Sequence, residues 1–511
     1  MFNNIKGKFY FITRWNPILR WGILTLCIFL FGLMEARANN LWIWDNSLGN
    51  SIWGTSGSKN QYNWDVDTNP ETINGYPPTV LFYDDYVRPD QKIFLQDSDK
   101  LLHSLYFYGA YNYTLYTDSS NKKIIFDTSC NGKEYSILGL YDYKDGGGNQ
   151  SIQTEVEAKN DLLIYNSTKN NFSLTKLLNI NNNNLVIDGT GDINLYSLKG
   201  SGFLYKQGGG NMFINGSGTG FQGSAIIKEG TLSLQHGQGL GGDKSGDITV
   251  SAGATLDLFK TGAVAYKTLN LSGEGVGGTG ALRNSSGDNT WTGAINLCDT
   301  ASIGVSGGQL TISGNISGSG GLTKVGAYTL MLTGNNTFTG ATTVNGGTLV
   351  LNGSGSNKAL GGTSQVIINS GGTVLFCQNN QINSAANLTL NGGTLNTGGF
   401  SQTLNVMTFS TTSTLILGAG PLHLSDLIRT GGILRVSNYS FTGQFIAAPG
   451  SVDQNTLNSI YFVDQGITGA FQLSNGCIVP VPEPGTYIFI LIVGCSLVLD
   501  FYQRRKAPSL S

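Results

Sequence analysis

Seven short stretches of this chain share one pattern: a glycine-rich corner, then Thr-Leu or a worn equivalent, then alternating residues. They centre on Thr231, Thr255, Gln309, Thr348, Thr373, Thr394 and, less closely, Ile433, with gaps of 24, 54, 39, 25, 21 and 39 residues. Glycine takes left-handed backbone conformations without a Cβ clash, so Gly-Gly suits a tight corner. Thr-Leu-x-Leu then alternates as a strand with one buried face does. A single strand of this kind cannot bury its face alone, whereas stacked copies make a continuous core. The gaps of 21 to 25 fit one coil each. The longer gaps fit two coils with a worn element between.

The fold expected is all-β, a right-handed parallel β-helix, with residues 200–470 as its main body. That span has room for on the order of twelve coils, a rod of about 60 Å at the usual strand spacing. Composition agrees: charged residues are 12% of the 511 and glycines number 72, which suits many short strands joined by tight turns. No long helical periodicity competes in this region. An antiparallel sandwich or a propeller is the alternative, and it accounts less well for coil-length spacing. Residues 39–199 differ, with Trp42, Trp44, Trp53 and Trp64 close together near their start. An aromatic cap over the open end of a β-helix, followed by the first coils, explains them. The same four tryptophans are also candidate glycan-stacking groups.

The clearest copy runs Gly320-Gly321-Leu322-Thr323-Lys324-Val325-Gly326, then Leu330-Met331-Leu332, Asn335-Asn336-Thr337-Phe338-Thr339-Gly340 and Gly346-Gly347-Thr348-Leu349. An earlier copy runs from Gly202-Phe203-Leu204-Tyr205-Lys206 to Glu229-Gly230-Thr231-Leu232, and Asp288-Asn289-Thr290-Trp291-Thr292-Gly293 is a partial one. This unit resembles the autotransporter-associated β-strand repeat of bacterial surface-protein passengers. The resemblance implies a parallel β-helix exported to the cell surface. Here the repeats lead into a sorting tail and not an outer-membrane barrel, so a self-transporting autotransporter is not expected.

That tail, residues 480–506, contains Val481-Pro482-Glu483-Pro484, an apolar run from Tyr487 to Leu499, and the basic cluster Arg504-Arg505-Lys506. The prolines keep the motif extended and accessible. A helix from Tyr487 to Tyr502 would rise about 24 Å, close to a membrane core, with the basic cluster as its cytoplasmic stop. The order resembles the PEP-CTERM sorting signal, which implies cleavage near Pro482-Glu483-Pro484 by an exosortase in a Gram-negative bacterium. At the other end, residues 1–38 read as a signal peptide: a basic start, an apolar run from Ile23 to Met34, then Ala36-Arg37-Ala38 for signal peptidase. The inner membrane is therefore a transient partner. The chain is expected to pass through a membrane-anchored intermediate to the surface or the extracellular matrix.

Chemistry is sparse. Sugar-cleaving enzymes need paired carboxylates, yet from Thr300 through Ser425 there is no Asp or Glu. Asp243, Asp247 and Asp257 lie earlier and read as turn residues. His103, His236 and His423 have no ligand spacing, and Gly273-x-Gly275-x-x-Gly278 lacks the strand–helix setting of a dinucleotide site. Cys130, Cys298, Cys377 and Cys477 are far apart and read as isolated buried thiols. A net charge of −2, with the basic residues concentrated at the termini, argues against nucleic acid. No catalytic, metal or cofactor site is expected. The reading is a non-catalytic surface or extracellular protein, structural, adhesive or associated with exopolysaccharide and surface glycans. A carbohydrate-binding module on a β-helical stalk is the alternative, and a polysaccharide lyase or hydrolase follows it.

Overall fold

The computed structural model describes residues 41–44, 52–53, 79–83, 91–95, 99–481 with short gaps, 486–493 and 496–503, with side chains from Thr79 to Val481. The chain divides into two compact units between Gly202 and Phe203. Each is a parallel β-solenoid, so the architecture expected from the corner repeats is present.

In the first unit, three rows of parallel strands stack coil on coil. One row runs Leu41–Trp44, Thr79–Tyr83, Ser104–Tyr108, Tyr135–Tyr141, Asp161–Asn166 and Leu185–Gly189. The second runs from Ile52–Trp53 through Gln91–Leu95 and Tyr113–Tyr116 to Gln150–Gln153 and Phe172–Asn179. The third begins at Lys100–Leu102 and continues through Lys123–Phe126 and Glu155–Ala158. Alternation sends Val80, Leu105, Leu138, Leu162 and Leu185 inward, all essentially inaccessible to solvent. Phe82 and Phe107 stack in the same core with ring centroids 5.3 Å apart.

The second unit has three faces. The first face carries Leu204–Lys206, Ala225–Ile227, Ile248–Val250, Leu269–Gly273, the start of Ile295–Val305, and Ile316–Gly318. Hydrogen bonds and short bridges extend it through Thr337, Leu360 and Ile382 to Gln402–Phe409, Leu422–Arg429 and Phe445–Ala447. Among the described residues this face has twelve rungs. The second face begins at Asn211–Ile214, and the third at Ala263–Val264. On the third, Leu310, Leu330, Leu349, Val374, Leu395 and Leu415 form one inward ladder.

The two repeat copies do not occupy the same faces. Leu204–Lys206 and Asn211–Ile214 lie on the first and second faces. Their counterparts Leu322–Val325 and Thr329–Leu332 lie on the second and third. Five whole coils carry Leu204 to Ile316, and one more face is turned before Leu322. The gap of 54 residues between Thr255 and Gln309, expected as two coils, is two coils plus a face. The Gly273–Gly280 loop accounts for part of the excess. It folds outward over the second face, where the Val276 N–H donates to Thr255 Oγ1 at 2.8 Å.

The last coil closes each face differently. Ile467–Thr468 turns back antiparallel on Ile460–Phe462 at the end of the third face. The short helix Gln454–Asn458 covers the second, with Thr456 Oγ1 accepting from the Arg429 N–H at 3.2 Å. Cys477 bridges Ile446 on the first. Beyond it, the apolar run expected as a helix is instead a pair of antiparallel strands, Thr486–Val493 and Ser496–Gln503. Tyr, Ile, Phe and Val dominate the first, and Val, Phe and Tyr recur in the second, residues that favour strands. No helix among the described residues is long and apolar enough to cross a membrane.

Candidate functional site

Most of the residues expected to carry sorting or binding fall outside the described residues. Ala36, Ala38, Trp64, Pro482, Glu483, Pro484, Arg504, Arg505, Lys506 and Cys130 do so entirely, and Trp42, Trp44 and Trp53 are described by backbone alone. Val481 is half-exposed, and its N–H donates to the Gly469 carbonyl at 3.1 Å, so the motif begins directly at the closing coil.

The chemistry inside the second unit centres on buried amines that the sequence reading missed. Lys206 and Lys324 point inward at equivalent places in the two repeat copies, and both are fully buried. Lys324 Nζ donates to the carbonyls of Val325, Gly326 and Gly346 at 2.9, 2.7 and 3.0 Å. Lys206 Nζ donates to those of Gln207, Gly208 and Glu229 at 3.2, 2.6 and 3.1 Å. A corner turns three carbonyls inward, and the ammonium satisfies them. Gly326 and Gly347 make the corner with φ of 82° and 62°, which explains the glycines before Thr348. Burial pulls the Lys324 amine down to about 8. Lys267 plays the same part, donating to the Gly223 and Ser245 carbonyls, with its Nζ 5.5 Å from the Phe221 ring centre. Burial lowers its pKa as well, with Asp243 and Asp247 opposing. The available signal was parity: Leu204 and Lys206, like Leu322 and Lys324, share one side of a strand.

Asp257, expected in a turn, stands in mid-strand on the outer side of Thr255–Phe259. Its carboxylate accepts from Arg283 Nε at 2.8 Å, Ser233 Oγ at 3.0 Å and Ser285 Oγ at 2.9 Å, and it is 4% exposed. Thr255-Leu256-Asp257-Leu258 alternates, and that alternation puts Asp257 opposite the core. Asp243 is a turn residue, accepting from the Ser245 N–H. Cys377 and Cys477 are partly buried free thiols, whereas Cys298, expected to be buried, is exposed on the outer side beside inward Leu297.

The histidines do not converge. His103 is held neutral by burial, with Nδ1 2.8 Å from Ser104 Oγ. His236 lines a recess of about 260 Å³ with Gln238, Thr261, Val264 and Thr292. His423 is exposed on the first face. No three His, Cys, Asp or Glu side chains among the described residues gather as metal ligands would.

The first unit presents aromatic side chains outward. Tyr106, Tyr141 and Tyr165 follow one another with centroid spacings of 6.2 and 5.5 Å. A Cβ at Gly139 would lie 2.7 Å from the Tyr141 ring and 2.8 Å from that of Tyr106, so only glycine lets both rings lie there. Burial pushes the Tyr106 phenol up to about 12 and raises that of Tyr141 further.

A family model described as the Passenger-associated-transport-repeat matches residues 204–234 and 322–351. Both segments carry that repeat. They are the two copies whose lysines cap the corner carbonyls, and each contributes four strands of the solenoid. No curated protein and no solved structure matches the chain. Passenger-associated repeats with a parallel solenoid fit a surface-exposed, autotransporter-like passenger region.

Proposed function

We propose that this chain is a non-catalytic surface or matrix protein of a Gram-negative envelope, structural or adhesive, and associated with exopolysaccharide. The observation that carries the reading is the pair of passenger-associated repeats built into one solenoid. The tail supports a route of delivery: Val481-Pro482-Glu483-Pro484, the apolar run and Arg504-Arg505-Lys506 act as a sorting address read by an exosortase-type enzyme, after signal peptidase acts near Ala38. Fractionation of a tagged chain, with mass measurement of both mature ends, tests the route. An N-terminus near Asn39 and loss of the residues beyond Glu483 are the expected outcome. An intact tail to Ser511 would refute exosortase processing.

A second reading is glycan binding on the first unit. The part-exposed rings of Tyr106 and Tyr165, packed on either side of buried Tyr141, favour it, because aromatic faces stack on sugar rings. The tryptophans Trp42, Trp44, Trp53 and Trp64 belong to the same proposal. Quenching of intrinsic fluorescence by added glycans is expected. A flat response across a broad glycan panel would remove the reading.

A further inference from the structure

The third face of the second unit carries a row of threonines. Thr329, Thr348, Thr373, Thr394 and Thr414 take the same outward position on five successive coils, each in register with the next. Parallel strands lie about 4.8 Å apart, so the hydroxyls form a line with that repeat. A second row runs beside it on the outer side, Met331, Leu375, Asn396 and Ile416, with Val350 in register but covered at 5% exposure.

Three features set this face apart. None of the five hydroxyls bonds another described residue. Threonines elsewhere do, as when Thr363 Oγ1 donates to the Gly340 carbonyl at 2.8 Å. Next, the stretch from Thr329 to Thr414 lies within the carboxylate-free span, where Lys324 of the two lysines is internal, and the first charge in the row is Arg435 on the following coil. Finally, the coil spacing is held by an asparagine ladder one corner away. Asn369 Nδ2 donates to Asn345 Oδ1 at 2.7 Å, Asn391 Nδ2 to Asn369 Oδ1 at 3.0 Å, and Ser410 Oγ to Asn391 Oδ1 at 2.9 Å. Strands twist unless stacking or side-chain ladders hold them flat, and this ladder supplies the restraint.

The chemistry of the two rows selects the partner. Sugar sites combine aromatic surfaces with convergent polar groups, and these rows have neither along their length. Each free hydroxyl instead sits beside its own methyl group and near an aliphatic neighbour. Hydroxyls join a water network while methyls and aliphatic side chains leave the adjacent water bonded to itself. A rigid, uncharged line of hydroxyls with a repeat close to that of a hexagonal ice plane holds such water in lattice register. We propose that this face, from Thr329 to Thr414, binds ice. The second face offers a comparison: Thr323, Thr343, Thr389 and Thr408 also align outward, but Ile367 interrupts them, and the row beside them is the hydrogen-bonded asparagine ladder Asn345, Asn369 and Asn391, not aliphatic side chains.

The purified chain is expected to show freezing hysteresis, to facet growing ice crystals and to slow recrystallisation. Thr373→Tyr and Thr394→Tyr keep a strand-forming residue while breaking the flat line, and each is expected to abolish these effects. Unchanged far-UV circular dichroism and melting temperature would show that the variants fold. Thr389→Tyr, on the second face, is expected to retain full activity. Absence of hysteresis with the folded wild-type chain overturns the proposal, as does full activity in both third-face variants. Should Thr373→Tyr instead lose binding to an insoluble polysaccharide, or lose a concentration-dependent dimer, with no ice effect in the wild type, the face serves a glycan or a second copy.

Discussion

Lys324 shows how an internal charge can be tolerated in a solenoid: the corner brings three carbonyls to its Nζ, and no solvent reaches it. Burial favours the neutral amine while the three acceptors favour the ammonium. With its pKa at about 8, the folded state binds fewer protons than the unfolded chain between there and the ordinary lysine value of 10.5. The penalty is therefore complete below pH 8 and is relieved as pH rises, by at most roughly 3 kcal/mol. Lys324→Met leaves the three carbonyls unmet and is expected to cost about 3 kcal/mol at pH 7. Its deficit against the wild type should widen between pH 8 and 10 in denaturant titrations; a deficit that narrows would contradict this account. Asp257 poses the opposite problem, because its buried carboxylate depends on Arg283. Arg283→Met is expected to lose about 3 kcal/mol, and Asp257→Asn in the same chain should recover much of it. Additive losses in that double mutant would mean that the pair is not coupled.

The strands themselves were largely legible. Gly-Gly corners and Thr-Leu-x-Leu alternation located the coils around Thr348, Thr373 and Thr394, because backbone sterics and period-two burial act locally. The tail strands, the buried lysines and the face offset were not. An apolar run such as Tyr487 to Leu499 satisfies either a helix or a strand, and its β-branched content decides only weakly. Lys206 and Lys324 defy the rule that lysine faces water, since their compensation comes from backbone groups two and twenty-odd residues away. The offset depends on the length and path of the Gly273–Gly280 loop, which carries no periodic signal. At the closing coil, Asp453 caps the helix Gln454–Asn458 by accepting from the N–H groups of Asn455 and Thr456. The Thr456 hydroxyl, which also donates to it, and then these N–H groups hold its carboxyl below the usual range, so its contribution is present above the ordinary carboxylate pKa and fades as pH falls. Asp453→Ala is expected to loosen this helix and speed amide exchange at Arg429, whose N–H it covers through Thr456. Unchanged exchange at Arg429 would show that the second face is closed by something other than the cap.

Over the whole chain, each coil touches chiefly its neighbours, as the strand pairings require. Stability then accumulates locally, and the two compact units need not lose structure together. Urea unfolding followed by tryptophan fluorescence, which includes core Trp291 of the second unit, is expected to diverge from far-UV circular dichroism. Superimposable curves would demand one cooperative body. The one-face displacement between the repeat copies has an evolutionary consequence. Gain or loss of a complete coil leaves every downstream residue on its original side, so length can vary without altering what the surface displays. A change of a third of a coil reassigns every later row at once, exchanging the threonine line for its neighbours. Insertions in such a chain should thus be tolerated in multiples of about 22 residues wherever its outer face matters.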